Sequence, residues 1–169
     1  MAAITDYTDL ISVTQAGTYL RLDPDVVALP EVQAELTMFI NAACKLVEQY
    51  SNYRLKPQEI VYYFDNGQLN VYDFPIKGVV APTDADAYSV TPFDLYSVYC
   101  DMGSLEADNL PMILNVGYAD TDEDINPLLI TAVLESVRVW YYNAESDTQR
   151  GILSMSVKNM LDPIKRFIV

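Results

Sequence analysis

The 169 residues hold 24 acids against 10 bases, a net charge of −14, with no histidine and two cysteines. Lack of histidine removes the commonest general base, the usual partner of a nucleophilic serine or cysteine, and the commonest transition-metal ligand; the acidic balance argues against gripping nucleic acid through its phosphates. A hydrophobic share of 51% with 20% charged residues is a globular composition, and the length suits one domain of about 100 to 200 residues.

Residues 1 to 11 read as an arm. Met1-Ala2-Ala3-Ile4-Thr5-Asp6 has neither the basic start nor the apolar run of a secretory signal, and no apolar run approaches the roughly 18 to 20 residues that span a bilayer, so no membrane role is expected. Thr14 is a candidate N-cap for a short helix, Gln15 to Leu22, ended by Asp23-Pro24. Beyond Pro30, Leu36, Phe39, Ile40, Ala43, Val47 and Tyr50 recur at three- and four-residue steps, which predicts a long helix over about 30 to 52.

The period then changes. Glu59 to Phe64 and Leu69 to Phe74 are β-branched and aromatic, and Asp65-Asn66-Gly67-Gln68 between them is a tight-turn sequence, so a hairpin is expected, ended by Pro75. Gly78 to Val80, Asp94 to Cys100 and Met112 to Tyr118 are further strand candidates, separated by polar, acidic loops at 82–89 and 103–109. Asn126 caps a helix with Pro127 at its first position, where the missing N–H costs nothing. Leu129, Ala132, Val133, Val137, Trp140 and Tyr141 give this helix a broad apolar face. A break over Ala144 to Gly151 precedes a last short helix, Ile152 to Leu161, before Pro163 releases a tail. The expected class is α+β: about four helices, with a β insertion between the second and third. Within a single domain the segments are 1–56, 57–120, 121–162 and 163–169.

Several residue groups invite chemistry. Asp120, Asp122 and Asp124 alternate like the start of an EF-hand loop, but the sixth position is Ile125 where glycine is needed and the twelfth is Thr131 where a bidentate glutamate belongs. Asp84 with Asp86, and Glu106 with Asp108, are paired acids without a nucleophile motif, a phosphate cradle or a metal set beside them. Neither enzyme activity, nor a metal, nor a cofactor is therefore expected. Cys44 and Cys100 read as small hydrophobes of a reducing compartment, or as a pair if the fold brings them together. Tyr62, Tyr63, Tyr72, Tyr96 and Tyr99 alternate along strands, which suits either a subunit interface or ordinary sheet packing. Residues 138 to 169 carry five bases against three acids, a balance of +2 that leaves −16 for the rest.

The chain resembles the head–tail connector (adaptor) proteins of tailed bacteriophages. The resemblance lies in Val13-Thr14-Gln15-Ala16-Gly17-Thr18-Tyr19-Leu20-Arg21-Leu22, the long helix ending Glu48-Gln49-Tyr50, Val116-Gly117-Tyr118, Asn126 to Leu134 leading into Trp140-Tyr141-Tyr142-Asn143, and Val157 to Arg166. The chain departs from the pattern in a larger, tyrosine-rich β insertion and in lacking an Arg-Glu pair after the tryptophan-tyrosine helix. The resemblance implies a virion protein, assembled in the bacterial cytoplasm, forming a ring with copies of itself, usually twelve. That ring sits beneath the portal protein and above the next neck or tail protein, extending the channel through which DNA passes without specific binding. It also implies a portal-docking arm at the C-terminal end, here Pro163, Ile164, Lys165, Arg166 and Phe167. A channel for DNA is best lined by acid, so Asp84, Asp86, Asp120, Asp122 and Asp124 are expected on the lumen. Alternatives are another neck or tail-completion ring (stopper or terminator), or a non-viral binding module.

Overall fold

In the computed structural model, residues 6–63, 69, 71–81, 89–92, 98–101, 111–118, 125–143 and 152–165 are described, those at 89–92 and 98–101 as backbone alone. Among them the order is α1 (Val13–Leu20), α2 (Pro24–Val27), α3 (Pro30–Ser51), β1 (Gln58–Tyr63), β2 (Ile76–Ala81), β3 (Ser89–Pro92), β4 (Val98–Asp101), β5 (Pro111–Val116), α4 (Pro127–Tyr142) and α5 (Met155–Leu161). The α+β class expected from the sequence is the one observed. The chain divides into a helical unit, residues 1–51 with 120–165, and a sheet unit containing residues 52–119.

The helical unit is built around α4. Asn126 Oδ1 accepts from the Leu128 N–H at 3.0 Å and Pro127 takes the first position, as the sequence predicts. From Leu129 to Val137 this helix is buried on most sides, with Leu129, Ala132, Val133 and Val137 wholly out of solvent. Against it α3 lays the face formed by Leu36, Phe39, Ile40, Ala43, Cys44 and Val47. Phe39 meets Trp140 edge to face at 6.1 Å between centroids, which adds about 0.5 to 1.5 kcal/mol beyond the burial itself.

The helix starts differ from expectation in three places. Ser12, not Thr14, caps α1: its Oγ accepts from the Gln15 N–H at 3.1 Å, while Thr14 is already inside the helix and its carbonyl accepts from Thr18 Oγ1. The Asp23-Pro24 pair that ends the first helix also begins a second one, because the Asp23 carboxylate accepts from the Asp25 N–H at 2.9 Å and proline fits the first turn. The last helix begins at Met155 rather than Ile152. Ser154 caps it, and the Ile152 carbonyl is turned to accept from Trp140 Nε1 at 3.2 Å.

In the sheet unit, β1, β5 and β2 form an antiparallel sheet with β5 in the centre. Among the described residues, no strand forms between 69 and 75, and the expected hairpin of 59–64 with 69–74 is not seen as a ladder. The partner of β1 is β5, registered from Gln58 opposite Val116 to Tyr63 opposite Pro111, and Phe74 makes one isolated parallel bridge to Tyr53. The second segment keeps its alternation, with Leu69, Val71 and Asp73 buried and Tyr72 exposed, and Leu69 stands at an isolated bridge of its own. Asp73 is held inward by Tyr62 and Arg54, and Pro75 has no N–H to offer a ladder. The presumed turn, residues 65–68, lies outside the described residues. Two bulges shift the register of β2 on β5, and β3 pairs antiparallel with β4 from Ser89 opposite Asp101 to Pro92 opposite Val98. The β3 strand begins at Ser89, the end of the stretch that the sequence reading assigned to a polar loop.

Gly117 closes β5 at φ +104°, and its N–H donates to the Pro75 carbonyl at 2.8 Å. A Cβ there would stand 2.1 Å from the Lys56 carbonyl oxygen. The glycine is thus required twice, by its dihedral and by the close passage of another backbone.

Candidate assembly surfaces

Three polar clusters tie the units internally, two in the helical unit and one in the sheet unit. In the helical unit Glu135, 8% exposed, accepts from Arg138 at 2.8 and 2.6 Å and from the Tyr19 hydroxyl at 3.2 Å. The Arg138 hydrogen bonds hold its carboxyl below the ordinary range against the opposing effect of burial, and Glu135 raises Arg138 in return. Tyr7 donates through its hydroxyl to buried Glu48 at 2.8 Å and through its N–H to Asn41 Oδ1 at 2.8 Å, which fixes the start of the chain on α3. In the sheet unit Tyr62 donates to Asp73, which also pairs with Arg54; burial first, then Asp73, pushes the Tyr62 hydroxyl well above the usual tyrosine range.

These are structural arrangements: the carboxylates of Glu135, Glu48 and Asp73 are buried, while Tyr19 and Arg138 reach the surface. Each unit also offers apolar groups outward. On α3, the side opposite the core face carries Ala34, Thr37, Met38, Asn41, Ala42 and Lys45, lining a groove of about 440 Å³. Met38 stands 57% exposed in it. Ala34, Met38 and Ala42 follow one another at four-residue steps, so they form a single row with small residues on either side of the methionine. A second groove of about 300 Å³ lies between the end of α3 and the start of α5, lined by Leu46, Gln49, Tyr50, Ile152, Leu153 and Lys158. Ile152 and, just beyond it, Met155 are largely exposed. On the sheet unit, Val61 and Tyr63 point outward from β1, an outer strand of the sheet, and Tyr72 is also exposed.

The tyrosines therefore divide. Tyr62 packs in the sheet core with Leu69, Val71, Met112, Leu114 and Val116, whereas Tyr63 and Tyr72 face outward. Tyr96 lies outside the described residues, and Tyr99 sits opposite Thr91 in the β3–β4 pair. Asp84, Asp86, Asp120, Asp122 and Asp124, the expected lumen residues, all lie outside the described residues, as do Glu106 and Asp108. Ile125 and Thr131, the positions that fail the EF-hand pattern, are respectively buried and bonded through Oγ1 to the Pro127 carbonyl on α4. Among the described residues, no three His, Cys, Asp or Glu side chains gather to hold a metal ion, and no helix is long and apolar enough to cross a membrane.

Of the expected docking arm, Pro163, Ile164 and Lys165 are described, and Arg166 and Phe167 lie outside the described residues. The three form a turn that closes α5: the N–H groups of Ile164 and Lys165 both donate to the Leu161 carbonyl, at 3.0 and 2.8 Å. Lys165 Nζ sits 4.1 Å from the centre of the Tyr50 ring, and the Tyr50 hydroxyl donates to Asp162 at 2.6 Å. Sequence reading missed the Met38 row and the Tyr50–Asp162 contact. The row was visible in the four-residue spacing on the non-core side of α3; the contact was not, since it joins two distant helix ends.

No family model matches the sequence, and no curated protein matches it. Solved structures do match. A chain from the neck of an empty GTA particle, computed with C6 symmetry, shares 15% identity at a TM-score of 0.70, covering 100% of this chain and 95% of that one. A chain from the virion of a native gene transfer agent (GTA) particle shares 16% at a TM-score of 0.70, covering 98% and 94%. A third, from the neck of a native GTA particle computed with C12 symmetry, shares 13% at a TM-score of 0.59, covering 99% and 97%. The fold of this chain, from end to end, is thus one found in chains of such particles, in line with the connector resemblance read from the sequence.

Proposed function

We propose that the chain is a structural subunit of a phage-type neck, and within that neck the adaptor ring that joins the portal to the tail and extends the DNA exit channel. The observation that carries this reading is the near-complete mutual coverage of this chain and neck chains at a TM-score of 0.70. The six- and twelvefold symmetries of those necks suit a protein that meets copies of itself. A ring subunit needs apolar surface outside its own core, and the Met38 row on α3 and the outward tyrosines of the sheet unit supply it. The acidic residues Asp84, Asp86, Asp120, Asp122 and Asp124 would line the channel, where like charge keeps DNA free to slide. No residue of the chain is assigned a catalytic role.

The residues from 163 onward are proposed to dock on the portal. The segment combines Lys165 and Arg166 with Ile164, Phe167, Ile168 and Val169, and repetition around a ring lets individually weak contacts sum. Deleting residues 163–169 is expected to abolish co-sedimentation with the portal protein encoded beside it, with the helical circular dichroism retained. Undiminished docking by the shortened chain would overturn the assignment of the arm.

A further inference from the structure

The outward side of α3 is symmetric about its exposed methionine in everything but charge. Met38 stands at the centre, and Ala34 and Ala42, four residues before and after it, line the same groove. Glu31 and Lys45, each seven residues from Met38 and both exposed, close the row at its two ends. Seven residues fall within about 20° of two full helical turns, so all five share one side of the helix. Among the described residues, neither the Glu31 nor the Lys45 side chain has an ion-pair or hydrogen-bond partner in its own chain. The groove is thus apolar in the middle, acidic at one end and basic at the other, which is the charge pattern that a reversed copy of itself complements.

We propose that two copies of the free chain pair through α3, antiparallel, about a twofold axis at Met38. Reversal about that axis sets Met38 against Met38 of the second copy, Ala34 against Ala42, and Glu31 against Lys45 at both ends. A parallel pairing would set Glu31 on Glu31 and Lys45 on Lys45, so the charges select the direction. The alanines let the helix axes approach closely, and a crossing angle of about 20° keeps the two charged ends within reach of each other. Beside the row, Glu35 falls opposite Asn41 of the second copy. The Asn41 Oδ1 already accepts from the Tyr7 N–H, which leaves its NH2 group to donate to that carboxylate. Burial of the methionines and alanines supplies the affinity, and the exposed ion pairs, individually weak, supply the orientation. A twofold contact closes on itself and cannot run round a ring. The pairing is therefore a state of the chain before assembly, and it stands independently of the connector reading; in that reading the pair opens when the ring forms.

Analytical ultracentrifugation of the full chain over a concentration series is expected to show monomer and dimer in exchange in the micromolar range, with nothing larger. Glu31→Lys and Lys45→Glu each put like charges together at both ends of the contact, and each is expected to weaken the dimer about tenfold. The double variant restores opposite charges at both ends and is expected to return to within about threefold of the unmodified chain. The two positions lie about 21 Å apart along one helix, too far to compensate within a chain, so the recovery reports a contact between copies. All three variants change exposed positions only and are expected to keep the helical circular dichroism of the unmodified chain. Losses that add in the double variant, or no loss in either single one, overturn the antiparallel pairing. So does a chain that stays monomeric into the millimolar range, or one that grows past the dimer into larger species. A monomeric chain that nevertheless joins the portal would overturn this inference and leave the connector reading standing.

Discussion

Gly117 shows how a short sequence pattern can be structural at root. It sits in the Val116-Gly117-Tyr118 stretch that carries part of the connector resemblance, and its reason for being glycine is the Lys56 carbonyl 2.1 Å from where a Cβ would stand, together with φ +104°. Gly17, in the first quoted stretch, is similar in kind: a Cβ there would meet a Val27 methyl at 2.5 Å. Gly117→Ala is expected to destabilise the sheet unit by about 3 kcal/mol or more, since dihedral strain and a backbone clash act together, and chemical denaturation would measure it. Glu135 makes a pH-dependent contribution. Its folded pKa lies below the ordinary value of 4.5 because Arg138 bonds the carboxylate. The unfolded chain therefore takes up a proton first as the pH falls. The stabilisation is complete above that ordinary value and is lost as the pH drops through the folded one. Glu135→Gln is expected to cost about 1 kcal/mol at neutral pH and to flatten this acid limb, as read from unfolding midpoints across the range. None of these residue-level reasons was legible in sequence, because each depends on a partner brought near by folding.

At the level of elements, patterns with a strong period were legible and pairing was not. The three- and four-residue steps of α3 located its core face from Leu36 to Val47, and Asn126-Pro127 located the start of α4. The strand segments were largely found as well, but the pairing of β1 with β5, distant in sequence, was not. A period of two reports which side chains face inward, not which strand lies alongside. Leu69, Val71 and Asp73 obey that alternation while β1 pairs with β5. The opposite face of α3 carries the candidate assembly row. Met38→Glu is expected to leave the fold intact, within about 0.5 kcal/mol for so exposed a position, and to weaken self-association by about tenfold or more. Analytical ultracentrifugation of the variant against the unmodified chain checks it; unchanged association would remove the row from the interface.

For the whole molecule, the sequence made the α+β class and the likeness to a phage-type neck fold legible through the order of several individually weak stretches. It did not single out the outward Met38 row, although the row's four-residue spacing lies opposite the core face that the same periodicity located. At Pro163, where the sequence suggests a break, the carbonyl of Leu161 continues the turn through Lys165. The proposed role that would engage both the helical and the sheet unit is assembly into a ring on a portal. That is most directly tested by the native mass of the chain alone and after mixing with the portal protein encoded beside it. A complex carrying about twelve copies per portal, the symmetry of one of the similar necks, is the predicted result. A chain that never joins the portal, or that closes a ring only on a tail protein, would contradict it.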